Sequence, residues 1–206
     1  EGDRIGLYIN GENGLTYREL TFTGGEWMPR LRRSDFGAGR LQLSAHYPCI
    51  PSAAEDNAES VSLSVELNQQ ENGYTASDLL YSQSALETGE YTSVMTFRHV
   101  MHRLRVEFSD AAGDLSVRVR SKVGGTVNLL TGNTQLGEGD FQWITPKKNT
   151  DGSLEALIFP QSALPYRESE GLMEITVDGK KAIYKAPEQQ NDGSPLEFFM
   201  AGKENT

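Results

Sequence analysis

The side chains best suited to chemistry are three histidines, His46, His99 and His102. His99 and His102 stand at an i, i+3 spacing, which would place two imidazoles on one helical face and suit a metal ion if a carboxylate joined them. No HxH, HExxH or facial-triad spacing accompanies them. We therefore expect no metal site. His99 is predicted to be a half-buried strand residue that holds a bend by a hydrogen bond, and His102 is predicted to be exposed.

The sequence also gives little support for a catalytic nucleophile or for a catalytic pair of carboxylates. Cys49 stands between two prolines in YPCIP, without a partner arrangement for catalysis, and is predicted to be a small apolar filler. The acid pairs Glu138/Asp140 and Glu168/Glu170 would satisfy a glycosidase, which needs two carboxylates. Because the chain has 29 acidic residues, chance pairs are expected, and these lie in predicted loops. We predict no catalytic residue, no cofactor and no enzymatic activity.

The charge of the chain limits its partners. The net charge is -10 and the isoelectric point is about 4.8, so nucleic acids and anionic membrane surfaces are disfavoured. The single cysteine excludes an intrachain disulfide. No apolar run approaches the roughly 18 residues that span a bilayer. The first residues alternate like a strand and do not form the apolar core of a signal peptide.

The longest extended run, Val94 to Phe108, contains two of the histidines. Apolar residues alternate with polar ones there, on odd positions from Met95 to Met101 and on even positions from Leu104 to Phe108. A one-residue change of register turns the side chains to the other face of a sheet, so a bulge or bend must intervene. We predict a strand, a kink and a second strand.

Similar alternation recurs along the whole chain. Two turns stand out, GENG at 11–14 and Asp178-Gly179, whose Asp-Gly pair favours a type I′ hairpin. Ser77 is predicted to cap a short helical turn.

About a dozen short strands without helical periodicity indicate an all-β fold of antiparallel β-sandwiches. A short polar linker at 110–114 predicts two tandem sandwich domains, residues 1–109 and 110–206. The alternating runs include Ile5 to Ile9, Leu41 to Tyr47, Val61 to Leu67, Leu115 to Val119 and Met173 to Val177, and Leu196 to Met200 is predicted to be the last strand.

Aromatic residues support an alternative function, a secreted β-sandwich module that binds host glycan or protein. Tryptophan and tyrosine rings stack on sugars, although in β-proteins most of them pack on sheets. The aromatic residues in question are Trp27, Trp143, Tyr8, Tyr17, Tyr74 and Tyr91. Weaker glycan binding on Trp27→Ala or Trp143→Ala would favour this alternative.

Several motifs resemble those of one family. FRHVMHRLRVEF at 97–108 resembles the central F-x-H-x-M/L-x-x-L-x-V signature of the fimbrillin-like proteins of Bacteroidales, the subunits of type V pili. GDRIGLYI, LQLSAHYP and SDLLYSQS resemble the family's earlier motifs in the same order. LIFPQS, ITVDGKKAIY and FFMAGKENT resemble its later ones. The resemblance covers nearly the whole chain.

The resemblance implies two transthyretin-like sandwich domains, export as a lipoprotein precursor and assembly by donor-strand exchange. Family members carry an N-terminal strand and continue beyond GK-x-Y, whereas this chain runs from Glu1 to Thr206. Either processing or a truncated chain explains the difference. Strands lacking at both ends would leave unpaired edges and an open apolar groove, which template a foreign strand. The candidate strand-exchange residues are Ile5, Leu7, Ile9, Leu196, Phe198 and Met200.

The favoured hypothesis is a non-enzymatic pilus subunit, or a pilus-associated adhesin or anchor. Its expected partners are other pilus subunits, with host protein or glycan as further candidates and no nucleic acid. Its expected location is the outer-membrane surface or the fimbrium, outside the cell. Membrane attachment would come only through a lipid anchor or a partner that this chain does not contain.

Overall fold

The computed structural model describes residues 1–50, 57–108 and 114–206. Its regular elements are almost all strands, which confirms the all-β prediction. The first ten are β1 Arg4–Gly11, β2 Gly14–Thr23, β3 Glu26–Met28, β4 Leu41–Tyr47, β5 Val61–Ser64, β6 Leu80–Leu86, β7 Arg98–His99, β8 His102–Val106, β9 Leu115–Lys122 and β10 Gly124–Val127. The others are β11 Thr134–Leu136, β12 Phe141–Ile144, β13 Lys147–Lys148, β14 Leu154–Ile158, β15 Gln161–Ser162, β16 Met173–Val177, β17 Lys180–Tyr184, β18 Phe198–Phe199 and β19 Glu204–Asn205.

Helical structure within the described part of the chain is limited to short turns. The described residues contain the α-helical turn α1, Gly73–Ala76, and 3₁₀ turns at Arg33–Asp35 and Leu164–Arg167. One sheet is three-stranded, in the order β11-β10-β5.

The chain forms two compact units. The first unit contains Glu1–Ser62, Leu79–His99 and Thr126–Asn133, and the second unit contains Leu63–Asp78, Val100–Gly125 and Thr134–Thr206. The boundary predicted from the sequence, between residues 109 and 110, lies outside the described residues and stays a prediction.

The first unit is built on a six-stranded sheet in the order β3-β2-β1-β4-β6-β7. β1 and β2 form a hairpin that closes with Gly11 opposite Gly14, as the GENG motif predicts. One face of the sheet is apolar. The other face contains Tyr8, His46 and Tyr81, all buried. On that face the Tyr81 hydroxyl donates a hydrogen bond of 2.7 Å to the carbonyl oxygen of Leu130.

The second unit contains two four-stranded sheets, ordered β12-β9-β16-β17 and β13-β14-β8-β19, and a pair of strands, β15 and β18. β16 and β17 are joined by Asp178 and Gly179, whose φ angles are 48° and 77°. Positive φ at both central residues is what a type I′ turn requires, so the predicted hairpin is confirmed.

Buried aromatic rings fill the interior of the second unit. The Tyr166 ring packs edge-on against Phe199, with 5.6 Å between the ring centres, and its hydroxyl donates a hydrogen bond of 2.6 Å to Gln161 Oε1. Burial raises the pKa of Tyr166, so the phenol stays protonated and serves as a donor.

The predicted break within Val94 to Phe108 is present, because β7 ends at His99 and β8 begins at His102. The predicted exposures of the two histidines were wrong, and they are reversed. His99 is exposed, whereas His102 is 1% exposed. The ring of His102 packs against Phe199, and its Nδ1–H donates a 3.0 Å hydrogen bond to the carbonyl oxygen of Met200.

Candidate functional site

The apolar face of the six-stranded sheet carries the first three candidate residues. Ile5, Leu7 and Ile9 alternate along β1, so their side chains project from the same face, and they are 6%, 6% and 2% exposed. Together with residues of β2, β4 and β6 they form one apolar cluster. Its other members on these strands are Leu20, Leu41, Leu43, Ala45 and Leu86.

The position of β1 corrects the expected edge. β1 pairs with β2 along one side and with β4 along the other, so its backbone lies inside the sheet. The alternation that predicted this strand cannot say which strands flank it, because sheet order depends on pairing between distant segments. The backbone of Ile5, Leu7 and Ile9 therefore cannot pair with an added strand, and these residues can contact a partner only through their side chains.

An irregular cover lies over this face and leaves a cavity of about 710 Å³. We define the cover as residues 29–40 and 87–97. Phe36 of the cover belongs to the apolar cluster, and Leu31, Met95 and Phe97 of the cover pack against it. The volume is typical of ligand sites, which occupy roughly 300–1,000 Å³. Apolar side chains of the sheet therefore border a cavity large enough for several further side chains.

Arg33 holds the two parts of the cover together. Its guanidinium donates hydrogen bonds to the carbonyl oxygens of Gly39, at 2.5 Å, and Glu90, at 2.9 Å. A second link joins the cover to the sheet, since the hydroxyls of Ser84 and Ser93 lie 2.7 Å apart. The cover is thus attached by side-chain contacts, which can open without breaking a strand ladder.

β6 offers a partly open edge beside the cavity. It pairs with β4 over its whole length, from Leu80 to Leu86. On its other side β7 pairs only with Leu80 and Tyr81. Among the described residues, Ser82 to Leu86 thus have no ladder partner on that side. Sequence reasoning missed this edge, because the run Met95 to Phe97 was predicted to be a strand and forms none.

The other three candidate residues belong to the second unit, so the structure does not gather all six into one unit. Leu196 is 2% exposed, whereas Phe198 and Met200 are each 59% exposed. β18 places Phe198 opposite Ser162 of β15. Within this segment Phe199, 1% exposed, is buried like Leu196.

The remaining residues that could do chemistry are dispersed. The acid pairs Glu138/Asp140 and Glu168/Glu170 are exposed. Cys49 is half-buried, 3.5 Å from the Tyr17 hydroxyl, and burial raises the pKa of its thiol. Within residues 1–50, 57–108 and 114–206, no group of three or more His, Cys, Asp or Glu side chains could hold a metal ion.

His46 is a buried titratable group in the first unit, at 0% exposure. Its Nε2 accepts a 3.4 Å hydrogen bond from the backbone N–H of Ile50. Desolvation lowers its pKa from 6.5 to about 4. Burial also lowers the pKa of His102 in the second unit. Both rings are therefore neutral in the folded protein at pH 7.

We expect acid to destabilise the fold through His46. Between pH 6.5 and 4, His46 is protonated in the unfolded chain but remains neutral in the folded protein. The contribution of His46 to the free energy of unfolding is therefore complete above pH 6.5. It falls by about 3 kcal/mol by pH 4, at 1.36 kcal/mol per pKa unit. Urea unfolding from pH 7.5 to 4 measures this slope. In His46→Gln the slope should shrink, which separates His46 from carboxylates that also titrate. An equal slope in both proteins would contradict the assignment.

None of the helices among the described residues has the length and apolar character needed to cross a bilayer.

Comparison with known proteins identifies a matching family and solved structures with a similar fold. The family described as Fimbrillin-like matches residues 1–206. No curated protein matches the chain. A candidate cell adhesion protein of Bacteroides thetaiotaomicron superposes with a TM-score of 0.67 at 20% identity, over 99% of this chain and 78% of that chain. One from Bacteroides uniformis also gives 0.67, at 19% identity, over 98% and 84%.

A fimbrial protein of Bacteroides ovatus gives a TM-score of 0.60 at 16% identity, over 100% of this chain and 43% of that chain. At such identities the likeness shows a shared fold. Because the family match extends over the whole chain, as the sequence motifs predict, this protein belongs to the fimbrillin-like family.

Proposed function

We propose that this protein is a pilus subunit, or a pilus-associated adhesin or anchor, that assembles with other subunits by accepting a strand in its first unit. It has no enzymatic activity in this proposal. The observation that carries it is the cavity of about 710 Å³ between the apolar face of the sheet and its cover. The family's role in fimbriae supports it, because fimbrial proteins assemble with one another.

The cavity suits a strand for a physical reason. A strand presents every second side chain to one face, so its apolar residues would enter the cavity in a row. Each buried methylene group contributes about 0.8 kcal/mol. The backbone of the same strand could pair with the open side of β6 between Ser82 and Leu86, next to Leu86, which lines the cavity. Main-chain hydrogen bonds then give affinity, and alternate side chains give specificity.

The proposed location is the cell surface, where fimbrial and adhesion proteins act. In this proposal the protein is exported and lies at the outer-membrane surface or within the fimbrium. A lipid anchor or another subunit provides attachment to the membrane.

The direct test is strand uptake from synthetic peptides. The probes are eleven-residue peptides with Val or Leu at every second position, and peptides of the same composition in scrambled order. We expect the alternating peptides to form adducts that resist SDS without boiling and to raise the melting temperature. The scrambled peptides should do neither, because only alternation places the apolar side chains in one row.

Ser93→Trp supplies the matched variant. Ser93 lies in the cover and lines the cavity, so an indole there should fill it without replacing a core residue. We expect the adduct fraction to fall about tenfold or more, whereas Ser93→Ala should keep it. Equal uptake of scrambled peptides, or undiminished uptake by Ser93→Trp, would sink the proposal.

A further inference from the structure

The second unit has a cleft of its own on the sheet β12-β9-β16-β17. Its volume is about 440 Å³, within the range of small-ligand sites. Arg120, Phe141 and Trp143 line it together with Asp140, Glu170 and Ile183. We propose that this cleft binds a neutral pyranose residue of a glycan. The proposed strand uptake concerns the first unit, so the two proposals stand or fall separately.

Trp143 is the platform of the site. It is half-buried on the edge strand β12, opposite Arg120 of β9. The guanidinium of Arg118 lies over the ring, 5.0 Å from its centre, and fixes its orientation. A ring held in this way can present its other face to a ligand. The face of an aromatic ring is electron-rich, and the C–H bonds on one side of a pyranose ring are weakly positive, so the two stack.

Arg120 supplies fixed hydrogen-bond donors. Its guanidinium lies 4.1 Å from the centre of the Phe141 ring and forms an ion pair with Glu170. The Arg120 side chain is only 13% exposed. A guanidinium held by a ring and a carboxylate loses little further freedom when a hydroxyl binds, which favours recognition.

The carboxylates of Asp140 and Glu170 supply acceptors. Both residues are exposed at the cleft, and a sugar hydroxyl can donate to either of them. Ile183 of β17, 45% exposed, adds an apolar wall. The cleft thus combines an aromatic face, a fork of donors and two acceptors, which matches the mixed surface of a pyranose ring.

The charge of the cleft selects the class of sugar. Its lining contains one cation, Arg120, and two anions, Asp140 and Glu170. The neighbouring Glu174 is already paired, because it accepts a 2.6 Å hydrogen bond from Arg118 and one of 3.3 Å from Lys181. The further cations beside the cleft, Arg118 and Lys122, lie over the Trp143 and Phe141 rings. An acidic sugar would therefore meet the carboxylates of Asp140 and Glu170 in the lining itself, on a chain of net charge -10. Neutral sugars are therefore preferred.

The test follows the fluorescence of Trp143. Trp27→Phe leaves Trp143 as the sole tryptophan, since the chain has two. The probes are N-acetyllactosamine, cellotetraose, chitotetraose and mannotetraose, with sialyllactose as the acidic comparison. We expect at least one neutral probe to shift the emission to the blue and to give a saturable isotherm by calorimetry. Sialyllactose should bind about tenfold or more weakly.

Two substitutions in the otherwise unchanged protein locate the site. Trp143→Ala should weaken binding about tenfold or more, as for a central aromatic contact. Tyr184→Ala should leave it unchanged, because Tyr184 is an exposed aromatic of the same sheet outside the cleft lining. Absence of binding by all four neutral probes at millimolar concentration overturns the proposal. Undiminished binding by Trp143→Ala, when circular dichroism shows it folded, overturns it equally.

Discussion

Gln69→Ala should destabilise the protein by about 4 kcal/mol. Gln69 is 0% exposed in the second unit. Its side-chain amide donates a 2.7 Å hydrogen bond to the carbonyl oxygen of Leu157 and accepts one of 2.7 Å from the N–H of Leu157. Alanine would leave both buried backbone groups without partners, and each such group costs about 1–3 kcal/mol. Urea unfolding followed by circular dichroism measures the loss.

The exposed neighbour Gln70 gives the control. Gln70→Ala should change the free energy of unfolding by no more than about 0.5 kcal/mol, as surface substitutions usually do. Gln69→Glu separates the two hydrogen bonds, because a carboxylate accepts but cannot donate. It should be unstable at pH 7 and partly recover in acid. A loss below about 1 kcal/mol in Gln69→Ala would show that Leu157 finds other partners.

Gln69 matters because it seals a strand edge. β13 pairs with β14 only at Leu154 and Glu155, so the outer side of β14 needs another partner at Leu157. An amide side chain fills that place and prevents pairing with a foreign strand, which is how natural proteins protect edges. In the first unit, β6 pairs with β7 only at Leu80 and Tyr81, so Ser82 to Leu86 have no ladder partner on that side among the described residues. This contrast supports the first unit as the acceptor of a strand.

Local turn chemistry could be predicted from the sequence. Asp178-Gly179 predicted a hairpin and forms one, because the residues that need positive φ are adjacent and their preference is intrinsic. The hairpin that Gly11 and Gly14 close was also predicted, but its positive φ, 90°, is at Gly14, after the central residues Glu12 and Asn13. Ser77 shows where local reasoning fails. The helical turn is α1, which precedes Ser77, and the Ser77 hydroxyl donates to the carbonyl oxygen of Gly73 at 2.7 Å.

The candidate site depends on features that the alternation of apolar and polar residues cannot predict. Alternation identified Ile5, Leu7 and Ile9 as one face, and that face does line the cavity. The position of β1 between β2 and β4 depends on pairing across about 40 residues of chain. The cover depends on Arg33, a charged residue whose hydrogen bonds to Gly39 and Glu90 leave no periodic pattern. Motif order identified the family, and the geometry located the cavity.

Gly6→Ala should destabilise the first unit by about 3 kcal/mol. Gly6 lies on β1, and its missing side chain would point to the face opposite the cavity. A methyl group there would overlap the ring of His46 and the hydroxyl of Tyr17. His46 is fully buried, so its ring cannot turn out to solvent. Overpacking of this kind costs about 1–3 kcal/mol. Thermal and urea unfolding measure the change.

A double-mutant cycle assigns that cost to His46. In the His46→Ala background the ring is gone, so Gly6→Ala should cost at least about 1 kcal/mol less than in the wild type. Gly139→Ala is the control, since a methyl group at Gly139 meets no atom within 4 Å. It should leave stability unchanged or raise it by up to about 1 kcal/mol. If Gly6→Ala costs the same with and without His46, the close packing of β1 against His46 is not what limits the residue at position 6.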